Sequence, residues 1–62
     1  MIFEMRDTRC AIVDNVLSWR GRRSVFQVGE RFAVNEKQFD ILGIAPSEFQ
    51  ENVFNATLKD VS

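Results

Sequence analysis

The chain has 62 residues, of which 45% are hydrophobic, and its formal net charge is −1 at pH 7. This length allows one small domain over residues 1–62, and the apolar content is typical of a folded domain and argues against disorder. A chain this short buries only about 60% of its unfolded surface, so a partner or a second copy would be a natural supplement to its core.

The residue types that are absent exclude most catalytic chemistry. The chain has no histidine, no tyrosine, one cysteine and three scattered glycines. Most acid–base, catalytic-triad and zinc-dependent mechanisms use histidine, and a phosphate-binding loop needs clustered glycines. The carboxylates have no metal-loop spacing. We therefore expect a protein that is not an enzyme and that uses no cofactor and no metal.

A single cysteine and the lack of long apolar segments indicate a cytoplasmic protein. Cys10 has no partner for an intramolecular disulfide, so we expect a small buried apolar residue in a reducing compartment. The first residues lack the apolar segment of a signal peptide. The longest uninterrupted apolar run, Cys10–Val13, is four residues and too short to cross a membrane.

The first third of the chain predicts short strands. Ile2–Arg6 alternates weakly between apolar and polar residues, which predicts an edge strand. Residues 10–19 fit either one helix, with Thr8 and Gly21 as its caps, or two short strands across a turn at Asp14-Asn15. The β-branched residues of this segment favour the two strands.

A hairpin is expected next, followed by a second strand pair. Arg20-Gly21 is the expected hairpin tip, between strands at 17–19 and 22–24, because glycine adopts positive φ without steric cost. The segment Val25–Val34, VFQVGERFAV, then predicts strand, turn at Gly29-Glu30 and strand. Its expected core residues are Phe26, Val28, Phe32 and Val34.

The segment after this strand pair predicts the single helix of the protein. Asn35 is a favourable N-cap for a short helix near 36–42. Phe39 and Leu42 then lie on one buried helical face, and Gly43 ends the helix as a left-handed cap.

The C-terminal segments complete the predicted fold. Ser47–Asn52 fits one more helical turn, with Ser47 as its cap, and Val53–Lys59 alternates as a final strand. The predicted fold is mainly β, of the β-rich α+β kind: a small open barrel or bent antiparallel sheet of four to five strands, with one short helix near 36–42.

The charges are distributed unevenly along the chain. Residues 1–31 contain six arginines and four acidic residues, whereas residues 32–62 contain two lysines and five acidic residues. Such polarity suits docking to a charged surface or head-to-tail association of two copies. A homo-oligomer is therefore one expectation.

The strongest local feature is a tryptophan among arginines, Trp19, Arg20, Arg22 and Arg23. An aromatic ring flanked by guanidinium groups can stack on a base and contact phosphates, or it can anchor a protein interface. The same residues also fit a solvated tip with Trp19 folded onto the core. A protein contact is favoured over nucleic acid, because the protein as a whole is not basic.

A second candidate contact patch consists of Glu48, Phe49 and Glu51. If Phe49 is exposed, it forms an apolar patch rimmed by polar groups, which is typical of a partner site. Phe49 and Phe54 also fit a role as covers of the small core, and both alternatives stand at this point.

The segment FQVGERFAVNEKQFDILGIA resembles a pattern in short phage-encoded proteins. The resemblance rests on Val28-Gly29-Glu30, Phe32-Ala33-Val34 and Leu42-Gly43-Ile44, and it covers about a third of the chain. The first two of these elements also look like part of a small Src-homology-3-like barrel. The aromatic peptide groove of Src-homology-3 domains has no counterpart here, so the resemblance implies a fold and a phage origin but not proline-rich peptide binding.

The functional hypothesis is a non-catalytic protein-interaction module, encoded by a phage and acting in the host cytoplasm. It would block a host complex sterically, as an inhibitor of a host enzyme or an anti-CRISPR-like protein, or serve as a small virion-assembly part. Its expected partner is a protein of the host or phage, with no membrane involved. The alternative is a nucleic-acid-binding module that uses the Trp-Arg cluster.

Overall fold

The computed structural model describes residues 1–61. Its strands form one sheet of six antiparallel strands. A 3₁₀ turn at Arg23–Val25 is the only helical segment of the described residues. The strands are β1 (Ile2–Met5), β2 (Thr8–Val13), β3 (Val16–Arg20), β4 (Arg31–Val34), β5 (Lys37–Pro46) and β6 (Val53–Asp60). The predicted mainly β fold is confirmed, but with six strands and not four to five.

The sheet consists of two three-stranded meanders that meet in its middle. The strand order is β1-β2-β3-β6-β5-β4, so β3 pairs with β6 and the first and fourth strands form the two edges. Val16 lies opposite Thr57 and Trp19 opposite Phe54 at this central pairing. All neighbouring strands are antiparallel.

The sheet is bent into a half-barrel whose two edge strands approach each other. Arg6, which follows β1, forms an ion pair with Glu30, which precedes β4. At the other end of the same seam, Asn35 Nδ2 donates to Met1 Sδ at 3.1 Å. Side chains therefore join the edge strands at both ends of the seam, which gives the small open barrel that the sequence predicts.

The core lies on the inner side of the barrel and is strongly aromatic. Alternate residues of each strand point inward, as expected for a sheet with one buried face. The buried hydrophobic side chains are Cys10, Ile12, Leu17, Trp19, Phe26, Phe32, Phe39, Ile41, Ala56 and Leu58.

The connection between β3 and β4 closes one end of the barrel. It carries Phe26, which is fully buried and touches the rings of Trp19 (4.8 Å between centroids) and Phe32 (5.6 Å). Arg6 holds the connection from outside, since its Nη1 donates to the carbonyl oxygen of Val25 at 2.6 Å. Phe26 therefore packs between the two meanders, against Trp19 of the first and Phe32 of the second.

Three of the four connections within the meanders are tight two-residue turns, and the fourth is the longer loop between β5 and β6. Both residues have positive φ in Arg6-Asp7 (57° and 59°), Asp14-Asn15 (51° and 60°) and Asn35-Glu36 (50° and 67°). Positive φ at both central residues is the hallmark of type I′ turns, which match the twist of antiparallel strands. The interpretation of residues 10–19 as two strands is confirmed.

The predicted helix near 36–42 is wrong, because this segment forms the first half of β5. Asn35 does not cap a helix but starts a two-residue turn that folds β5 back onto β4. Phe39 is buried as predicted, whereas Leu42 is 56% exposed, because Phe39 and Ile41 take the inner face of the strand and the next residue points outward. Gly43 is therefore a strand residue and not a helix cap.

The predicted hairpin at Arg20-Gly21 is also wrong. The end of β3 already pairs with β6, so the chain leaves the sheet at Gly21 and crosses the barrel end instead of turning back. Residues 25–28 form no strand, and Val28 is 55% exposed. The edge strand β1, the strand at Arg31–Val34 and the final strand β6 are confirmed.

Candidate functional site

One end of the barrel brings the two candidate contact patches together. Gly21 N–H, after β3, donates to the carbonyl oxygen of Asn52, before β6, at 2.7 Å. This bond joins residues 20–23 to the loop at 47–52, and we call the surface formed by these two segments the loop end. The patches are far apart in the sequence, and only the β3–β6 pairing makes them neighbours.

Trp19 does not lie on this surface. Its side chain is 2% exposed, its Nε1 donates to the carbonyl oxygen of Arg22 at 2.9 Å, and its ring packs against Phe26 and Phe54. This placement corrects the prediction of Trp19 as a contact residue and matches the alternative in which it folds onto the core. Its bond to Arg22 instead fixes the path of the backbone that carries the arginines.

Arg20, Arg22 and Arg23 are exposed at the loop end. Among the described residues, the ion pairs are Arg6–Glu30 and Arg31–Asp40, so these three guanidinium groups have no carboxylate partner. Unpaired guanidinium groups retain their full capacity to bind carboxylates or phosphates.

The loop at 47–52 presents Phe49 to solvent. Ser47 Oγ accepts hydrogen bonds from the N–H groups of Phe49 (3.1 Å) and Gln50 (3.3 Å), and Ser47 N–H donates to the carbonyl oxygen of Val53 (2.8 Å). The predicted helical turn does not form, although Ser47 does accept these capping bonds. Phe49 is 91% exposed, whereas Phe54 is partly buried against Trp19.

Glu48 and Glu51 flank Phe49 in this loop and are exposed. The loop end therefore combines an exposed phenyl ring, two carboxylates and three guanidinium groups. Charges of both signs around an apolar centre are typical of a specific protein contact, in which the polar rim sets orientation and the centre supplies most of the affinity.

The groups with shifted pKa values lie outside residues 20–23 and 47–52. A hydrogen bond from Arg6 lowers the pKa of Glu30, and a hydrogen bond from Arg31 lowers the pKa of Asp40. Burial raises the pKa of the Cys10 thiol, whose Sγ donates to the carbonyl oxygen of Thr8 at 3.3 Å. The two ion pairs tie loops and strands together, and Cys10 is a core residue as expected.

Within residues 1–61 there is no group of three or more cysteine or acidic side chains placed to hold a metal ion. The same part of the chain contains no helix of the length and apolarity that a membrane span requires. Comparisons of the chain with protein-family models, curated proteins and solved structures found no match.

Sequence reasoning missed one residue that the structure adds to the basic cluster. Cys10 lies opposite Trp19, so the preceding Arg9 lies beside Arg20 on the outer face of the sheet. Arg9 is ten residues away from the Trp-Arg cluster, and only knowledge of the strand register would have placed it there.

Proposed function

We propose that this protein is a non-catalytic interaction module that binds a protein partner through its loop end. The observation that carries the proposal is Phe49, a large apolar side chain that is 91% exposed although Ser47 holds its loop in a defined turn. An exposed aromatic residue on an ordered loop is the arrangement that interface hot spots use, because little conformational freedom is lost on binding.

The size of the Phe49 contribution follows from its burial in a complex. Transfer of a phenylalanine side chain from water into an apolar pocket is worth about 2–3 kcal/mol. A change of this size corresponds to a roughly 30- to 150-fold difference in affinity. A partner with an apolar pocket, rimmed by groups of both charges, would complement Phe49 together with the nearby glutamates and arginines.

The mechanism is steric: the module covers a working surface of a larger assembly. The resemblance of Val28-Gly29-Glu30 and its neighbours to short phage-encoded proteins supports a phage origin and action in the host cytoplasm. The assembly would then be a host enzyme or defence complex that the module inhibits, in the manner of anti-CRISPR proteins, or a virion in which it is a structural part.

Nucleic-acid binding is the second candidate, and one observation favours it. Arg9, Arg20, Arg22 and Arg23 are exposed arginines, and none of them belongs to an ion pair of the described residues. The carboxylates of the adjacent loop oppose it, since they repel phosphates. Binding to duplex DNA would weaken with salt, with a log–log slope of about −0.9 for each phosphate contact.

The first test is capture of partners from a bacterial lysate with tagged protein, with and without nuclease. We expect a discrete protein that survives nuclease treatment and is lost with Phe49→Ser. Val13→Ser is the matched control, because Val13 is 64% exposed on β2 beside the turn at 14–15, at the opposite end of the barrel. Capture of nucleic acid alone, or equal loss in both variants, would contradict the proposal.

The arginines are tested by a charge reversal with its own control. Arg22→Glu/Arg23→Glu should abolish capture, whereas Lys37→Glu/Lys59→Glu makes the same change in net charge at exposed strand positions and should retain it. Melting curves of both variants show whether each still folds. If both folded double variants lose the partner alike, binding depends on net charge and not on the loop end.

A further inference from the structure

The outer face of the sheet carries a groove that lies beside the loop end and shares Arg20 and Gln50 with it. Its volume is ≈220 Å³, and it lies over β1, β2, β3 and the start of β6. Ala11 and Ser18 form its floor, and Ile2 and Val53 form its walls. Gln50, from the loop at 47–52, closes one side.

The groove follows from the strand register. Ile2 lies opposite Ala11, and Ala11 lies opposite Ser18, so three neighbouring strands place one large and two small side chains in a row on the outer face. Residues in register across antiparallel strands are in direct contact on one face, so the two small side chains leave a depression beside the large one. Ile2 is 72% exposed, so one wall of this depression is open to solvent.

The rim of the groove is basic. Arg9 and Arg20 both line it, side by side on neighbouring strands, and neither belongs to an ion pair of the described residues. Like charges directly across a strand pair destabilise a sheet. Glu4 lies opposite Arg9 on its other side, whereas the other cross-strand neighbour of Arg20 is the apolar Val53, so the register places no carboxylate opposite Arg20. The groove therefore suits a ligand with an apolar body and negative charges.

We infer that this groove binds the Phe49 loop of a second copy of the chain. A cavity of about 150 Å³ is enough to hold benzene, so a groove of ≈220 Å³ has room for a phenyl ring. Glu48 and Glu51 flank Phe49 and supply two negative charges, which match the two arginines of the rim. The loop thus has both features that the groove selects, an apolar side chain and negative charges.

The loop and the groove are neighbours on one surface, and this fits a two-fold dimer. Gln50 belongs to the loop and also lines the groove, whereas Phe49 of the same loop points into solvent and leaves its own groove unfilled. In a two-fold arrangement each copy would insert its loop into the groove of the other, which gives the self-complementary contact that closed dimers use.

This dimer does not depend on the proposed function, although both use Phe49. A foreign partner and a second copy would compete for the same loop, and a higher concentration of the protein would favour the dimer. Ala11 separates the two, because it lies on the groove floor and outside the loop end.

Sedimentation analysis over a wide range of protein concentrations tests the dimer. The wild-type chain of 7.2 kDa is expected to shift to twice this mass as its concentration rises. Ala11→Leu fills the groove floor and should stay monomeric while still capturing a partner from lysate. Val13→Ser, on the same strand outside the groove, should dimerise like the wild type. A wild type that stays monomeric at all concentrations would overturn the inference.

Charge reversal on the two sides of the contact gives a second and more specific test. Arg9→Glu/Arg20→Glu and Glu48→Arg/Glu51→Arg should each be monomeric alone. An equimolar mixture of the two should form a heterodimer with opposite charges in both contacts. In one contact the reversed loop meets the reversed groove, and in the other the unchanged loop meets the unchanged groove. If the mixture stays monomeric while both proteins are folded, or if either variant alone dimerises like the wild type, the groove is not the site.

Discussion

Replacement of Phe26 tests how the barrel is closed. The side chain has 0% of its surface exposed and lies on an irregular segment, where it contacts Trp19 and Phe32. Removal of about 150 Å² of buried apolar surface at roughly 25 cal/mol per Å² costs about 4 kcal/mol. This value agrees with the roughly 3–5 kcal/mol that Phe→Ala changes cost in protein cores.

The expected loss is close to the whole stability of a domain of this size. At about 0.05–0.15 kcal/mol per residue, a chain of 62 residues has about 3–9 kcal/mol. Phe26→Ala is therefore expected to unfold a large fraction of the protein. Phe26→Leu keeps part of the contact and should cost only about 1–2 kcal/mol, so the free energy of unfolding can still be measured.

The matched comparison is Val28→Ala, two residues further along the same segment. The alternating pattern predicted that Phe26 and Val28 share one buried face of a strand, whereas the structure leaves Val28 55% exposed. We expect Val28→Ala to change the stability by less than about 0.5 kcal/mol. Urea unfolding followed by fluorescence of the single tryptophan, which packs on Phe26, measures all three variants. Equal losses of unfolding free energy for Val28→Ala and Phe26→Leu would contradict the burial of Phe26 alone and would support a strand with both side chains on its buried face.

Three further predictions concern the turns, the seam and the core. Glu36 has a φ of 67°, which glycine adopts at less cost than glutamate, so Glu36→Gly should raise the free energy of unfolding by about 0.5–1 kcal/mol in a urea titration. If residue 36 lay in a helix, the same substitution would lower the free energy of unfolding by about 1 kcal/mol. Because Arg6 lowers the pKa of Glu30, the ion pair stabilises the fold above the unfolded pKa of about 4.3, and this stabilisation is lost as the pH falls through the folded pKa. The pair is partly exposed to solvent, so urea midpoints should show Glu30→Gln to be about 0.5 kcal/mol less stable than the wild type at neutral pH. At a pH well below the folded pKa of Glu30, the variant should be no less stable than the wild type. Cys10, buried and with its pKa raised, should react with a thiol reagent only as fast as the protein unfolds, and rapid labelling of the native state would contradict its placement in the core.

The strands of the first meander could be predicted because local signals agreed with the final structure. Residues 10–19 combine β-branched residues with an Asp14-Asn15 pair, and such pairs tolerate the left-handed conformation of a tight turn. The alternation of Val53–Lys59 was equally clear, and this segment became the central strand β6. In these segments the turn chemistry and the period of two indicate the same structure.

The predicted helix near 36–42 failed because two periods coexist there. Phe39 and Leu42 fit a helical face, but Phe39 and Ile41 also fit the inner face of a strand, and the latter pair is buried. Asn35 is favourable both as a helix cap and as the first residue of a type I′ turn. Pairing with β4 and β6 decided between the two, and such long-range contacts are not visible in a local pattern.

The error at Gly21 has a topological cause. A hairpin needs a free neighbouring position in the sheet, and β6 occupies that position beside β3. The chain must then cross the barrel end to reach the start of β4, and Phe26 is buried on the way. A single buried residue in an irregular crossing and a buried residue in a strand give the same sequence signal.

The sequence named most of the exposed residues of the loop end but not their arrangement, and whether they bind a partner stays a prediction. The exposed arginines and the Glu48, Phe49 and Glu51 patch were named from local clusters of charged and aromatic residues in the sequence, and the structure places them at one end of the barrel. The role of Trp19 was wrong because an aromatic residue beside arginines fits an interface and a core edge equally well, and its partners Phe26 and Phe54 are distant in sequence.

The most direct test of the loop end as the binding surface is NMR chemical-shift mapping of the backbone amides. The captured partner would be titrated into the folded protein, at a concentration where the protein alone is monomeric. Binding through the loop end predicts shifts concentrated at residues 20–23 and 47–52, with the amide of Phe49 among the largest. Shifts centred on the turns at 14–15 and 35–36, at the opposite end of the barrel, would contradict it.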